Sequence, residues 1–186
     1  MTEEDRAALE NANLQYPVRV LFLCNGNSAR SQIAEALLVK RGGERFVVAS
    51  AGANPAAEVR PEAVVALRQI GVDWTGHRPR GISAVKDEPW DLVITLCDRT
   101  WESCPAFPSR PITAHWGVPD PAAVTDRMRL PTAFSDTLQL LMWRIDLMLS
   151  LGNDSFTRLV YQERLRAIPL HDPPLRTTKA RREDRP

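Results

Sequence analysis

Four short apolar runs rich in β-branched residues alternate with longer segments whose apolar residues recur at helical spacing. A buried strand requires such a continuous run, whereas an amphipathic helix places apolar residues three and four positions apart. Strands that alternate with helices form a parallel sheet, because a crossover must carry the chain back to the start of the next strand. The predicted fold is therefore α/β, a four-stranded parallel sheet with helices on both faces.

The pattern also divides the chain into a domain and two ends. Residues 1–14 are polar-rich and are predicted to be an N-terminal appendage, with a short helix over residues 3–14. Residues 15–168 form the predicted domain, and residues 169–186 are predicted to be a basic, disordered tail. The predicted strands span 18–23, 46–49, 91–96 and 112–116, and the helices span 31–41, 61–70, 134–151 and, as an extra C-terminal helix, 155–168.

The composition excludes several classes of protein. Lys and Arg (24) nearly balance Asp and Glu (23), so no net charge attracts nucleic acid or an anionic membrane. The N-terminus is acidic, unlike a secretory signal, and the most apolar segment, residues 138–151, carries two charged residues. We therefore expect no nucleic-acid partner, no membrane partner and a cytoplasmic location.

The segment between the first predicted strand and the following helix carries the most chemistry. Cys24 stands at the strand end, Arg30 follows at the predicted start of the helix, and Ser31 comes next. Backbone N–H groups of a tight loop, a helix N-terminus and an arginine fork together bind a tetrahedral oxyanion and stabilise a thiolate. The alternative is a buried cysteine beside a surface arginine. The predicted oxyanion-binding residues are Asn25, Gly26, Asn27, Ser28, Ala29 and Arg30.

The loop resembles the signature of the low-molecular-weight protein tyrosine phosphatase family, and residues 20–32 are most similar to its arsenate reductase branch. The resemblance continues through residues 50–52, 104–105 and 115–121, and it covers roughly residues 17–168. It implies a low-molecular-weight phosphatase-like fold and a catalytic role for the loop cysteine, as a reductase or as a phosphatase.

Two further cysteines fit the reductase branch. Cys97 follows a predicted strand as Cys24 does, so both are expected at the same edge of the sheet, and Cys104 lies seven residues later. An odd number of cysteines argues against a disulfide framework, and a non-helical stretch between two thiols suits a disulfide relay. Two unrelated thiols are the alternative. Zinc bound by these cysteines and His115 is disfavoured, because no Cys-x2-Cys pair is present, and no metal or other cofactor is predicted.

The resemblance implies a specific route from arsenate to arsenite. Cys24 attacks arsenate held by the loop and Arg30, with Asp120 as the general acid and Ser31 supporting the thiolate. Cys97 then attacks the sulfur of Cys24, and Cys104 attacks Cys97 to leave a second disulfide. An external reductant, thioredoxin or glutaredoxin with glutathione, restores the thiols, and phosphate is the competing anion.

Two positions depart from the family pattern. Asn25 replaces a common threonine at a position that offers mainly its backbone. Some members carry a cation site near the loop; Asn27, Glu35 and Ser50 match three of its positions, but Arg80 stands where a carboxylate ligand is expected. We therefore do not expect bound potassium and anticipate that Arg80 replaces its charge.

A phosphatase that uses only Cys24, Arg30 and Asp120 is the main alternative function. The extra cysteines favour reduction, as does the scarcity of tyrosine, whereas Trp116, four residues before Asp120, is compatible with an aromatic substrate. A non-enzymatic anion sensor is a third, less favoured hypothesis, because every expected catalytic residue type is present.

Overall fold

A computed structural model describes Leu14, residues 16–151 and residues 158–173. Its sheet has four parallel strands, as predicted, and their order is β2-β1-β3-β4. The strands are β1 Val18–Cys24, β2 Phe46–Gly52, β3 Leu92–Thr95 and β4 Ile112–His115. The helices are α1 Arg30–Gly42, α2 Pro61–Gln69, α3 Asp98–Glu102, α4 Leu130–Ser150 and α5 Arg158–Ala167.

The two faces of the sheet bury different elements. On one face, Val20 and Phe22 of β1 pack in the same cluster as Leu37 of α1, Leu67 of α2 and Leu141 of α4. On the other face, alternate residues of the same strand share a cluster with Trp90, which precedes β3, and with Phe107, which lies between α3 and β4. Burial on both faces explains why the central strands β1 and β3 are mostly apolar, whereas the edge strand β4 alternates between buried and partly exposed residues.

Several boundaries differ from the predicted ones by a few residues. Strand β2 continues to Gly52 because it pairs with β1 as far as Cys24. Helix α4 begins at Leu130, with Pro131 in its first turn, where a missing N–H costs nothing. The stretch after Cys97, predicted not to be one long helix, contains only the five-residue helix α3. Within the described residues, no helix is long and apolar enough to cross a membrane.

The predicted C-terminal boundary at residue 168 is too early. Helix α5 is followed by the 3-10 turn Ile168–His171, and Asp172 forms an ion pair with the buried Arg144 of α4. Leu14, predicted to belong to the appendage, is buried in the main core. The rest of the appendage, residues 1–13 with most of its predicted helix, and residues 174–186 of the predicted tail lie outside the described residues.

The topology brings two cysteines to one edge of the sheet. Strands β1 and β3 are parallel neighbours, with Leu23 opposite Thr95, and Cys24 and Cys97 follow at or just past their carboxyl ends. The chain leaves β1 toward β2 on one side, while β3 pairs with β1 on the other. Such a reversal of strand order opens a crevice at the carboxyl edge, where parallel α/β sheets bind ligands.

Candidate active site

Four carbonyl groups of the loop between β1 and α1 accept hydrogen bonds from backbone N–H groups of residues 53–60. In a planar trans peptide the N–H of the next residue points opposite to the carbonyl, so we expect the N–H groups that follow these carbonyls to face the other, concave side of the loop. The first turn of α1 adds to them, because its N-cap residue Ala29 makes no side-chain capping bond. The outward bonds are Ala53 N to Cys24 O (3.3 Å), Asn54 N to Asn25 O (2.8 Å), Ala56 N to Gly26 O (2.9 Å) and Arg60 N to Ser28 O (2.8 Å).

Asn27 holds the loop together from the inside. Its backbone is left-handed, with φ of 47°, and its side chain is fully buried. The amide nitrogen Nδ2 donates to Ser31 Oγ at 2.8 Å and to Ser50 Oγ at 2.7 Å. The amide oxygen Oδ1 accepts from Gln32 Nε2 at 3.1 Å and from the Arg80 backbone N–H at 2.7 Å. One side chain therefore joins the loop to α1, β2 and the segment before the 3-10 turn.

The Cys24 thiol lies beneath this loop. Its side chain is buried, and Sγ is 2.9 Å from Ser31 Oγ. Since Ser31 Oγ already accepts a hydrogen bond from Asn27, its own hydrogen is available for the sulfur. Ser31 and Asn27 therefore form one chain of hydrogen bonds that ends at the Cys24 sulfur.

Arg30 connects the loop to Asp120. Its Nη1 donates to Val118 O at 2.9 Å, and its Nη2 lies 3.0 Å from Asp120 Oδ2. The carboxylate also accepts from Ala122 N at 3.1 Å, which orients it at the start of the 3-10 turn Pro121–Ala123. Guanidinium has five N–H donors, so the remaining ones are free to bind an oxyanion. Arg30, itself one of the predicted oxyanion-binding residues, thus directly contacts Asp120, the predicted general acid.

A cavity of about 390 Å³ is lined by Cys97 together with Arg30 and Asp120, whereas Cys24 and residues 25–29 are not among its lining residues. Cys97 caps α3 and its Sγ is 3.0 Å from Thr100 Oγ1. Cys104 is not among the residues that line this cavity: it is partly buried against the second core cluster, and burial raises the pKa of its thiol. The lining residues are Arg30, Cys97, Asp98, Gly117, Val118, Pro119 and Asp120.

His115, expected to be a structural residue of the fourth strand, contacts α3, the helix between Cys97 and Cys104. Its Nε2 lies 3.0 Å from Asp98 Oδ1, its Nδ1 lies 2.8 Å from Thr95 Oγ1, and Trp101 stacks on the ring with centroids 5.5 Å apart. Among the residues that the structure describes, no group of three or more His, Cys, Asp or Glu side chains could hold a metal ion.

The three residues that match a family cation site, Asn27, Glu35 and Ser50, are joined by hydrogen bonds, and the guanidinium of Arg80 lies beside Glu35. Glu35 Oε2 accepts from Ser50 Oγ at 2.5 Å, and Glu35 Oε1 is 3.4 Å from Arg80 Nη2. Burial raises the pKa of Glu35, while the Ser50 hydrogen bond and the nearby charges of Arg80 and His77 act in the opposite direction. Arg80 therefore supplies positive charge directly to the carboxylate that supports Ser50.

Sequence reasoning missed the role of Gly52, although residues 50–52 were part of the resemblance. A Cβ on Gly52 would lie 2.6 Å from Asn25 O and 2.8 Å from Asn27 N, so only glycine lets β2 pass this close to the loop. A close backbone approach of this kind leaves no periodic signal in a sequence.

Gly52→Ala should weaken the affinity for inorganic phosphate by about 10-fold or more, because the methyl group displaces the N–H groups of the loop. Titration calorimetry measures the effect. Gly81→Ala is the matched control, since its Cβ would meet nothing closer than Ser83 Oγ at 3.5 Å. Equal affinities in both variants would show that the loop tolerates the displacement.

Glu35→Gln should raise the free energy of unfolding, and the gain should grow with pH. The pKa of Glu35 is raised above its usual 4.5 by burial, so the folded state holds a proton that the unfolded state releases. The wild type therefore loses stability as pH rises from 4.5 through the folded pKa, whereas glutamine cannot ionise. Urea unfolding of both proteins across acidic and neutral pH measures the difference; a constant difference would contradict the assignment.

Comparison with known proteins places these features in a family. Residues 19–156 match the model of the low molecular weight phosphotyrosine protein phosphatase family. Over 103 residues the chain is 43% identical to a protein named arsenate reductase from Halalkalibacterium halodurans, which covers 55% of this chain and 73% of that relative.

Solved structures share the fold. An arsenate reductase from Archaeoglobus fulgidus is 26% identical, with a TM-score of 0.54 over 68% of this chain and 98% of that one. Wzb of Vibrio vulnificus, solved with benzylphosphonate, is 21% identical, with a TM-score of 0.63 over 74% of this chain and all (100%) of that one. Because the family match runs from the first strand to beyond helix α4, the chain belongs to the low-molecular-weight phosphotyrosine protein phosphatase family.

Proposed function

We propose that this chain is an arsenate reductase that works through the thiols of Cys24, Cys97 and Cys104. The observation that carries the proposal is the cavity at the carboxyl edge of the sheet, where Cys97 lines the same space as Arg30 and Asp120. Phosphoester hydrolysis has no use for a second thiol there, whereas reduction requires one. The name of the 43%-identical relative supports the same activity.

Arsenate binding uses the loop and Arg30. The inward N–H groups, the uncapped start of α1 and the guanidinium match the charge and shape of a tetrahedral oxyanion. Phosphate has nearly the same shape and charge and therefore competes. No other cofactor enters the proposal.

The first chemical step is attack of the Cys24 thiolate on arsenic. A sulfur–arsenic bond forms and an arsenic–oxygen bond breaks, and the departing hydroxide takes a proton from Asp120 to leave as water. The Ser31 hydroxyl, 2.9 Å from the sulfur, stabilises the thiolate before attack. Arg30 keeps Asp120 beside the anion through their 3.0 Å contact.

Reduction takes place when Cys97 attacks the sulfur of Cys24. The sulfur–arsenic bond breaks and its electron pair stays on arsenic, which passes from As(V) to As(III) and leaves as arsenite. The two thiols lose two electrons in total and form the Cys24–Cys97 disulfide.

Cys104 then attacks Cys97 and frees Cys24 for another turnover. Cys104 does not line the cavity, so α3 must shift or unwind to bring the two sulfurs within bonding distance. A helix of five residues held by side-chain contacts is suited to such a change. A dithiol or thiol reductant, thioredoxin or glutaredoxin with glutathione, reduces the Cys97–Cys104 disulfide, and this chemistry requires a reducing compartment such as the cytoplasm.

Phosphatase activity is the second candidate. Cys24, Arg30 and Asp120 with the loop suffice to form and hydrolyse a phosphocysteine, and the chain belongs to a phosphatase family. The cavity beside Arg30 lacks an aromatic side chain among its lining residues, which removes a platform for a phenyl ring. Reduction therefore remains the favoured function.

Cys97→Ser should abolish arsenate reduction and leave hydrolysis of an aryl phosphate within a few-fold of wild type. The measurement is arsenate-dependent NADPH oxidation with thioredoxin and thioredoxin reductase, repeated with glutaredoxin and glutathione. Cys24→Ser is the matched control and should lower both activities by about three orders of magnitude or more. If Cys97→Ser reduces arsenate as fast as wild type, the relay is wrong; if the wild type hydrolyses aryl phosphate but reduces no arsenate, the phosphatase function is correct.

Cys104→Ala should release about one equivalent of arsenite per protein and then stop, because the Cys24–Cys97 disulfide has no internal thiol to resolve it. Quenched-flow measurement of arsenite and mass spectrometry of the alkylated protein report both events. Ser103→Ala, at the neighbouring exposed position, is the control and should turn over repeatedly. Repeated turnover of Cys104→Ala with thioredoxin would remove Cys104 from the route.

A further inference from the structure

Residues 158–173, here called the C-terminal segment, follow the part of the chain that matches the family, which ends at residue 156. The segment consists of α5 and the 3-10 turn that follows it. Its residues Tyr161, Leu165 and Ile168 are buried in the main core, and α5 packs against β4. It is therefore a folded addition that contacts β4, the edge strand. Strand β4 leads into residues 116–120, here called the Asp120 loop.

The C-terminal segment makes polar contacts with the start of that loop. The buried Trp116 indole Nε1 donates to Leu165 O at 3.1 Å. Arg144 of α4 is also buried, and its Nη1 donates to Trp116 O and, at 3.4 Å, to Gly117 O. The Asp172 carboxylate accepts two hydrogen bonds from the same guanidinium. Arg144 Nε donates to Oδ1 at 2.8 Å, and Nη2 donates to Oδ2.

This arrangement fixes the plane of the Arg144 guanidinium. A carboxylate that accepts two parallel N–H bonds holds the planar fork in one orientation, so that Nη1 points at the carbonyls of residues 116 and 117. Without Asp172 the buried cation would lose its carboxylate partner, and a buried charge of this kind moves toward water or another partner.

The carbonyls that Arg144 binds lie only a few residues before Asp120. Between them, Val118 O accepts from Arg30, and Pro119 and Pro121 restrict the backbone on both sides of the carboxylate. The loop is thus held by Arg30 through Val118 O and by Arg144 through the carbonyls of residues 116 and 117. A shift at residues 116 and 117 is transmitted to Asp120 because little backbone freedom remains between them.

We propose that Asp172 and Arg144 are positioning residues for Asp120, so that the C-terminal segment sets the placement of the general acid. This inference rests on the proposed role of Asp120 in the reaction. Neither residue touches the reacting atoms; Asp172 orients Arg144, and Arg144 holds the loop.

The test is a double-mutant cycle on Asp172→Asn and Asp120→Asn. Asp172→Asn should lower kcat by about 10-fold or more in the wild-type background, because a small displacement of an acid is costly. The dissociation constant of inorganic phosphate should stay unchanged, and in the Asp120→Asn background the second substitution should cause no further loss. Equal losses of kcat in both backgrounds would overturn the proposal, since they indicate a general structural effect.

Asp146→Asn is the matched control. Asp146 lies on the same helix as Arg144 and pairs with Arg41 at the surface, so the substitution makes the same chemical change away from the loop. It should leave kcat unchanged. If Asp172→Asn fails to fold, Trp143→Phe replaces it, because the Trp143 indole donates to His171 O at 3.0 Å and holds the residue next to Asp172; kcat should then fall by a smaller factor, and an unchanged kcat would overturn the proposal.

Hydrogen exchange separates this proposal from the proposed function. Trp116 N donates to Thr95 O at 2.8 Å and Val118 N donates to Leu96 O at 2.9 Å, so both amides report on the loop without any substrate. Asp172→Asn should speed their exchange and Asp146→Asn should not. Unchanged exchange overturns the positioning role even in an active reductase. If the wild type reduces no arsenate, faster exchange together with the same cycle measured on an aryl phosphate still supports the positioning role.

Discussion

The buried amide of Asn27 is the interaction on which the rest of the site depends. It accepts a hydrogen bond from Arg80 N and donates to Ser31 and Ser50, so one side chain joins Ser31, which contacts the Cys24 sulfur, to β2. The left-handed backbone at this residue is the cost of turning the loop's N–H groups inward, and asparagine tolerates it better than most residues. Glu35 extends the same network, because it accepts a hydrogen bond from Ser50 Oγ and lies 3.4 Å from Arg80 Nη2.

Arg30 imposes a second constraint, because it serves two groups at once. It donates hydrogen bonds to the Asp120 carboxylate and to the Val118 carbonyl. In the proposed function its remaining N–H groups bind the oxyanion. In the proposed reaction one guanidinium therefore contacts both the oxyanion and the Asp120 carboxylate, which places the two next to each other.

The sequence predicted the sheet and the loop because both depend on short-range patterns. The run ending at Cys24 is apolar on both faces, and the spacing to Arg30 matches a strand followed by a helix start. The contacts missed by the sequence analysis are long-range: Gly52 against the loop, and Asp172 on Arg144, 28 residues apart. A charged, proline-containing C-terminus has the composition of a tail, and only the burial of Arg144 shows that Asp172 has a fixed partner.

The proposed reaction requires the two sides of the cavity to differ in stiffness. Asp120 must stay in one place relative to arsenic, and its loop is bonded to β3, to Arg30 and to Arg144. Cys97 must leave its position to meet first the sulfur of Cys24 and then that of Cys104. It is the N-cap residue of α3, a helix of five residues. This helix is held by an exposed Asp98–His115 contact and by the stacking of Trp101 on the His115 ring. Exposed ion pairs contribute little stability, so α3 can rearrange at a small free-energy cost while the acid loop remains fixed.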